Sequence, residues 1–329
     1  MMELGYSIRS LLVKPGLVLA PMSGVTTSAF RRLIKELNPG SVGLTVSEFI
    51  SVEAMTRQVP RSLKMMKFHE CERPYGIQIF GHDINRMRDA ALMVQDAGAD
   101  LLDINCGCPA PKVVRKGGGC ELMRQPDHLG KILQEVRKSV SMPLTLKMRA
   151  GWDEASLNSL EIAHIAESEG VEGVAIHGRT RAQSYRGSAD WEHVRVVKES
   201  VKIPVFGSGD VVDKQSASER IASGCDGLFI GRGALSNPFI FSEIATGQVT
   251  DRRNNPALVI KVLLRYVELL REEMNDRGAS GRVKQLASQM CAGHTWKREL
   301  LRTETLPDQI KFLERIAAQV IQAEIKGIN

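Results

Sequence analysis

Pro204-Val205-Phe206-Gly207-Ser208-Gly209-Asp210 and Gly227-Leu228-Phe229-Ile230-Gly231-Arg232-Gly233 flank a helical pattern over Lys214–Ser223. Each flanking piece is a short apolar run that ends in glycines, and the segment between them has apolar residues at three- and four-residue spacing. Gly224 stands where a helix-closing glycine belongs. The stretch therefore reads as strand, helix, strand, with the strands parallel.

The same unit recurs outward in both directions. Strand patterns are predicted at Leu17–Met22, Val42–Phe49, Tyr75–Phe80, Leu101–Asn105, Pro143–Met148, Gly173–His177, Pro204–Gly207 and Gly227–Ile230. Helical patterns at Ile84–Ala97 and Leu157–Ser168 are closed by Gly98 and Gly170. Repeated βα units of this length predict an α/β fold, a (β/α)8 TIM barrel over residues 1–245. A doubly wound open sheet is the competitor. It would place a G-x-G-x-x-G turn after the first strand, where this chain has Ala20-Pro21-Met22-Ser23-Gly24.

After Phe241 the strand signal stops. Asn254-Asn255-Pro256 reads as a helix start, followed by an amphipathic pattern over Leu258–Met274 and further helices at 282–292 and 307–325. Residues 246–329 are thus predicted to form a small all-helical domain.

Bulk composition narrows the class. The 329 residues are 43% hydrophobic and 25% charged, as in an ordinary water-soluble chain. No apolar run approaches 18 residues and no secretory leader pattern opens the chain, so no membrane association is expected. Six irregularly spaced cysteines do not form a disulfide framework, and a cytoplasmic location is expected. The net charge is +6, and from Ala245 onward 14 Lys and Arg stand against 10 Asp and Glu. That excess hints at a polyanionic partner.

In a barrel, chemistry is done at the C-terminal ends of the strands. Read in order, those ends carry Pro21 and Met22, Gln78, Asn105 and Cys108, Lys147 and Arg149, then His177, Arg179 and Arg181. The last two strands end in Ser208, Gly209 and Asp210 and in Gly231 and Arg232. Apolar packing does not explain so many polar tips. The glycine-rich ends of strands seven and eight suit a phosphate held by backbone N–H groups. No pair of carboxylates converges as a glycosidase requires. Cys106-x-Cys108 lacks both the spacing and the second half of a zinc site, so no metal is expected.

These motifs together resemble the tRNA-dihydrouridine synthases, most closely the bacterial B-type branch. The resemblance rests on Leu19-Ala20-Pro21-Met22-Ser23-Gly24-Val25-Thr26, Thr45-Val46-Ser47-Glu48, Gln78-Ile79-Phe80-Gly81 and Asp103-Ile104-Asn105-Cys106-Gly107-Cys108-Pro109. It continues through Lys147-Met148-Arg149-Ala150-Gly151-Trp152, Ile176-His177-Gly178-Arg179-Thr180-Arg181 and Ile230-Gly231-Arg232. It implies FMN as cofactor, NADPH as reductant, and reduction of uridines in tRNA by hydride transfer to C6 with a proton delivered to C5. The Gly-Cys-Pro register implies Cys108 as the proton donor, with Cys106 structural. By position, Pro21, Met22, Ser23, Gln78, Lys147, His177, Ser208, Gly209, Asp210, Gly231 and Arg232 would hold FMN. Asn105, Arg149, Arg179 and Arg181 would meet the uridine.

Two departures stand out. Ser208 replaces an asparagine common in the family, and the basic-basic-His-aromatic stretch of the helical domain is not matched. The nearest basic residues there are Arg282, Lys284, His294, Lys297 and Arg298, beside Trp296. Alternatives are a small-molecule FMN oxidoreductase of the dihydroorotate or dihydropyrimidine type, a synthase acting on rRNA, and a non-catalytic RNA-binding barrel. A monomer is expected.

Overall fold

The computed structural model describes residues 5–325. The outermost residues of the two predicted domains, 1–4 and 326–329, lie outside that range. Eight parallel strands form the barrel: β1 (Leu17–Leu19), β2 (Leu44–Val46), β3 (Tyr75–Phe80), β4 (Leu101–Cys106), β5 (Leu144–Arg149), β6 (Val174–His177), β7 (Val205–Ser208) and β8 (Gly227–Ile230). Neighbours in sequence are neighbours in the sheet, and β8 pairs with β1, so the sheet closes as a TIM barrel. Closure pairs each of the eight barrel strands on both sides, which is why strands this short suffice.

Some boundaries shift for identifiable reasons. β1 stops at Leu19, three residues before its predicted end, because Pro21 has no N–H for the ladder. The predicted second strand, Val42–Phe49, shortens to β2, and a separate two-residue piece just beyond it, Ile50–Ser51, pairs with the tip of β3. Near residue 282 the predicted helix begins early, at Asp276, because the Asn275 side chain accepts a hydrogen bond from Gly278 N–H and caps it.

An N-terminal hairpin, Tyr6–Ile8 with Leu11–Val13, closes the bottom of the barrel. Its Tyr6, Ile8 and Val13 pack against Val18, Leu44 and Phe206 inside the strands. The Tyr6 and Phe206 rings lie 4.1 Å apart. Outside the strands, a second and larger apolar layer joins them to the surrounding helices. Beyond the barrel's last helix, Ile240–Thr246, come four helices: Pro256–Glu273, Asp276–Met290, Lys297–Arg302 and Leu306–Ile325. Pro256–Glu273 packs on the barrel helix Ser28–Leu37.

One close approach fixes the top of β7. A Cβ on Gly207 would lie 2.0 Å from Cζ3 of Trp191, whose Nε1 donates to Gly209 O at 3.2 Å. Gly207→Ala is therefore expected to destabilise the protein by about 2–3 kcal/mol. Thermal melting checks it, and an unchanged midpoint would contradict the packing described.

Candidate active site

Alternation along the strands decides which polar tips meet. Asn105 on β4 pairs with Lys147 on β5, and Arg149 at the end of β5 pairs with His177 at the end of β6. Ser208 on β7 pairs with His177 from the other side. Cys106, next to Asn105, faces the opposite way and is wholly buried in the layer between strands and helices.

The mouth of the barrel is a cavity of about 870 Å3. Its wall includes Pro21, Met22, Ser23, Asn105, Cys108, Lys147, Arg149, His177, Ser208, Gly209, Asp210, Gly231 and Arg232. Three of the predicted site residues, Gln78, Arg179 and Arg181, are not brought to that wall.

Gln78 lies behind it, as part of a buried relay. Thr145 Oγ1 donates to Asp103 Oδ1 at 2.6 Å, and Gln78 Nε2 donates to Asp103 Oδ2 at 2.5 Å. Asn105 Nδ2 donates to Gln78 Oε1 at 2.8 Å, and Asn105 Oδ1 accepts from Cys108 N–H at 3.0 Å. Burial raises the Asp103 carboxyl above its usual range, and the hydrogen bonds from Thr145 and Gln78 pull it back. The relay ties three strands to the loop that carries Cys108. Gln78 thus acts on the site by aiming Asn105.

Arg179 is also spent internally. It is buried, bonds Arg186 O and Gly187 O, and grips both oxygens of Asp210 at 2.8 Å. Asp210 sits in the left-handed region, at φ 56°, held there by Arg179 and by Ala189 N–H at 2.8 Å. Arg181 and Arg124 both lie over the Trp152 ring, at 4.5 Å and 4.6 Å from its centroid, and neither lines the cavity. Both arginines are predicted from the chain as substrate contacts; in the fold one is a loop clamp and the other a rim residue.

The electrostatics of the wall follow from burial. The Cys108 thiol is pushed up from its ordinary value by desolvation, only partly offset by the Ala110 N–H and Arg149. It therefore stays protonated at neutral pH. Lys147 is pulled down to about 8 by burial, with Asp103 opposing and Arg149 adding to the shift. No carboxylate lies within ion-pair distance of its ammonium among the described residues. His177 is pulled down to about 2 by burial and by Lys147, Arg149, Arg179 and Arg232, so its ring is neutral. Its buried Nδ1 has no protein partner. Arg149 is buried and donates to Gly107 O at 2.9 Å, Thr180 O at 2.9 Å and Ser184 O at 2.7 Å, joining the β4 and β6 loops.

Among the wall residues that the sequence reading did not single out are Tyr185 and Gln289. Tyr185 is 56% exposed, and the guanidinium groups of Arg232 and Arg149 lie 4.8 Å and 5.5 Å from its ring. Its signal in the chain is an aromatic set among Arg179, Arg181 and Arg186. Gln289 comes from the helical region and lines the same cavity, with nothing local to mark it. No cluster of three His, Cys, Asp or Glu side chains suited to a metal occurs among the described residues. No described helix is long and apolar enough to cross a membrane.

A closed βα barrel with a thiol, a free ammonium and a neutral imidazole at its mouth defines an enzyme of the TIM-barrel class. Residues 18–324 match the family described as dihydrouridine synthase (Dus). The chain is 41% identical over 239 residues to a probable tRNA-dihydrouridine synthase of Rickettsia conorii, covering 72% of this chain and 71% of that one. It is 40% identical over 264 residues to tRNA-dihydrouridine synthase B of Pseudomonas syringae pv. tomato, covering 78% and 77%. The chain belongs to the dihydrouridine synthase family and is an oxidoreductase. Its fold resembles a solved 2-naphthoyl-CoA reductase (TM-score 0.59, 15% identity, 75% of this chain and 52% of that one). It also resembles histamine dehydrogenase from Rhizobium sp. 4-9 (TM-score 0.58, 13% identity, 82% and 51%). The chain spans about half the length of both.

Proposed function

We propose that the protein is an FMN-dependent synthase that reduces uridines of tRNA to 5,6-dihydrouridine with NADPH as reductant, with Cys108 as the proton donor. The observation that carries this reading is a protonated thiol on the wall of a cationic cavity that also bears an unpaired ammonium.

The residues present fit FMN. Among the described residues Lys147 forms no ion pair and the buried His177 Nδ1 lacks a partner, and Gly209, Gly231 and Arg232 border the cavity where phosphate is expected. About 870 Å3 is within the range of pockets that enclose such ligands. Lys147, His177, Ser208, Gly209, Gly231 and Arg232 would hold it, with Pro21, Met22 and Ser23 along the β1 side. Bound there, FMN supplies the hydride for C6 of a uracil ring.

Everything else is done by the chain. A uracil must leave the RNA stack to enter a cavity of this depth. Cys108 holds the proton that C5 requires, and its raised pKa keeps that proton in place at working pH. Asn105 has both amide ends committed to Gln78 and the Cys108 loop, so it fixes the thiol's position. The neutral His177 offers one donor and one acceptor to a polar ring edge. Tyr185 provides an exposed aromatic face for a base or ribose.

The expected result is a yellow protein that, with NADPH, adds two hydrogens to uridines of tRNA lacking dihydrouridine, read by mass spectrometry of the nucleosides. A colourless protein, or one that leaves tRNA unchanged, overturns the reading. The same reaction on rRNA or on free dihydropyrimidine precursors alone would redirect the substrate.

A further inference from the structure

On the far side of Gln289 lies a second, smaller recess of about 200 Å3. Val212, Ser236 and Gln289 border both it and the catalytic cavity, so the two are contiguous. Its charged lining is Arg252 and Arg253, with His294 beside them and no carboxylate in the wall.

The recess is short of negative charge. Arg252 Nη1 donates to Ser236 O at 2.7 Å, but its buried Nε has no partner. Burial lowers its pKa, with Arg253 adding to the effect and Glu243 opposing it. Glu243 is engaged elsewhere: Oε2 accepts from Asn237 Nδ2 at 2.7 Å and Oε1 from Thr250 N–H at 3.0 Å. Neither arginine forms an ion pair with a described carboxylate. His294 Nε2 lies 3.1 Å from Arg252 O, and the ring stacks on Trp296 at 5.0 Å. Burial holds that imidazole neutral, with Arg252 adding to the shift and the hydrogen bond to the Arg252 carbonyl opposing it, so it contributes polarity and no charge. Two guanidinium groups with an unpaired buried nitrogen call for an anion.

We propose that this recess is a phosphodiester subsite, which anchors the RNA backbone next to the nucleotide whose base enters the catalytic cavity. The proposal rests on the RNA substrate inferred above. A base drawn out of its stack brings its flanking phosphates to the cavity rim, and phosphate contacts are what set the register of a bound strand. The recess has room for one phosphate and part of its ribose, and one wall is the helix end Gln289–Met290. The location also sorts the basic residues of the helical region. His294 reaches the recess. Arg282 instead lies over Gly24, where an added Cβ would meet its Nη1 at 3.0 Å. Lys284 is tied to Thr303 O.

Binding of labelled tRNA to the flavin-loaded protein, measured by anisotropy across a salt series, tests the subsite. Arg252→Gln and Arg253→Gln are each expected to weaken tRNA binding about tenfold and to make the log–log salt slope shallower by about one. Arg195→Gln, on a helix face paired to Glu192 and Glu199, is the control and should match the parent protein. Arg253 is exposed, so its variant keeps the test valid if Arg252→Gln loses the Ser236 contact and folds poorly. Unchanged affinity and slope in Arg253→Gln overturn the subsite. So does a raised KM for NADPH with tRNA binding intact, which would assign the recess to the phosphate of the dinucleotide. If the variants lose tRNA binding but the parent makes no dihydrouridine, the subsite stands and the proposed reaction falls.

Discussion

Cys108→Ala is expected to retain bound flavin and its oxidation of NADPH while dihydrouridine formation falls by about 10²–10⁴, the usual contribution of a positioned general acid. The loop that carries Cys108 is held by Asn105, Arg149 and the backbone bond from Cys120 N–H to Cys108 O, none of which uses the thiol. Removing the sulfur should therefore leave fold and cofactor site intact, which flavin absorbance and melting report. Burial raises the thiol's pKa, so the protonated fraction is complete at neutral pH and falls only above the usual thiol range. In the parent protein, product formation should decline as alkaline pH crosses that value. The Ala variant should lose that limb. Product formation by Cys108→Ala at the parent rate would remove Cys108 from the mechanism.

Lys147→Met should have two opposed effects, a loss of bound flavin and a gain in stability of the flavin-free protein. In the folded chain the ammonium titrates near about 8, against 10.5 for the free side chain. The charged form is thus disfavoured by burial, with a penalty on the order of 3 kcal/mol at neutral pH. Below about 8 both folded and unfolded chains hold the proton and the penalty is fully present. Between about 8 and 10.5 the unfolded chain binds more protons, so the stability of the flavin-free protein rises with pH across that window. Methionine removes the charge at similar volume, and the flavin-free variant should melt several degrees higher at pH 7. It should also lose the pH dependence between about 8 and 10.5. An anionic ligand favours the protonated lysine, so flavin affinity in the parent should weaken as pH rises through about 8. A variant that keeps its flavin as tightly as the parent, or melts lower, contradicts the role assigned to Lys147.

Both predictions depend on side chains whose positions were legible in the chain, whose roles the family resemblance implied and whose electrostatics the fold sets. Cys108, Lys147 and His177 each follow an apolar run that breaks at glycine or proline, which places them at a strand tip. The eight strands were readable for the same reason, because a strand buried on both faces leaves a continuous apolar run between turn signals. The N-terminal hairpin, Tyr6–Ile8 with Leu11–Val13, escaped because no helical pattern separates its two strands as in the βα units. The start at Asp276 escaped because Gly278 and Gly281 argue against a helix that tertiary packing and the Asn275 cap nevertheless support.

The chain by itself determined the succession of βα units, the order of their polar strand ends and the helical character of its last quarter, because these follow from patterns local in sequence. The separation of Cys108 from Cys106 came from the Gly-Cys-Pro register of the family the chain resembles. Only the tertiary structure decided that Gln78 aims Asn105 from behind the wall, that Arg179 is consumed by Asp210, and that Gln289 and Tyr185 border the cavity. It also decided that the thiol keeps its proton while the lysine holds its own weakly. Those outcomes depend on burial and on charges contributed by separate strands, and such distances exist only once the sheet has closed.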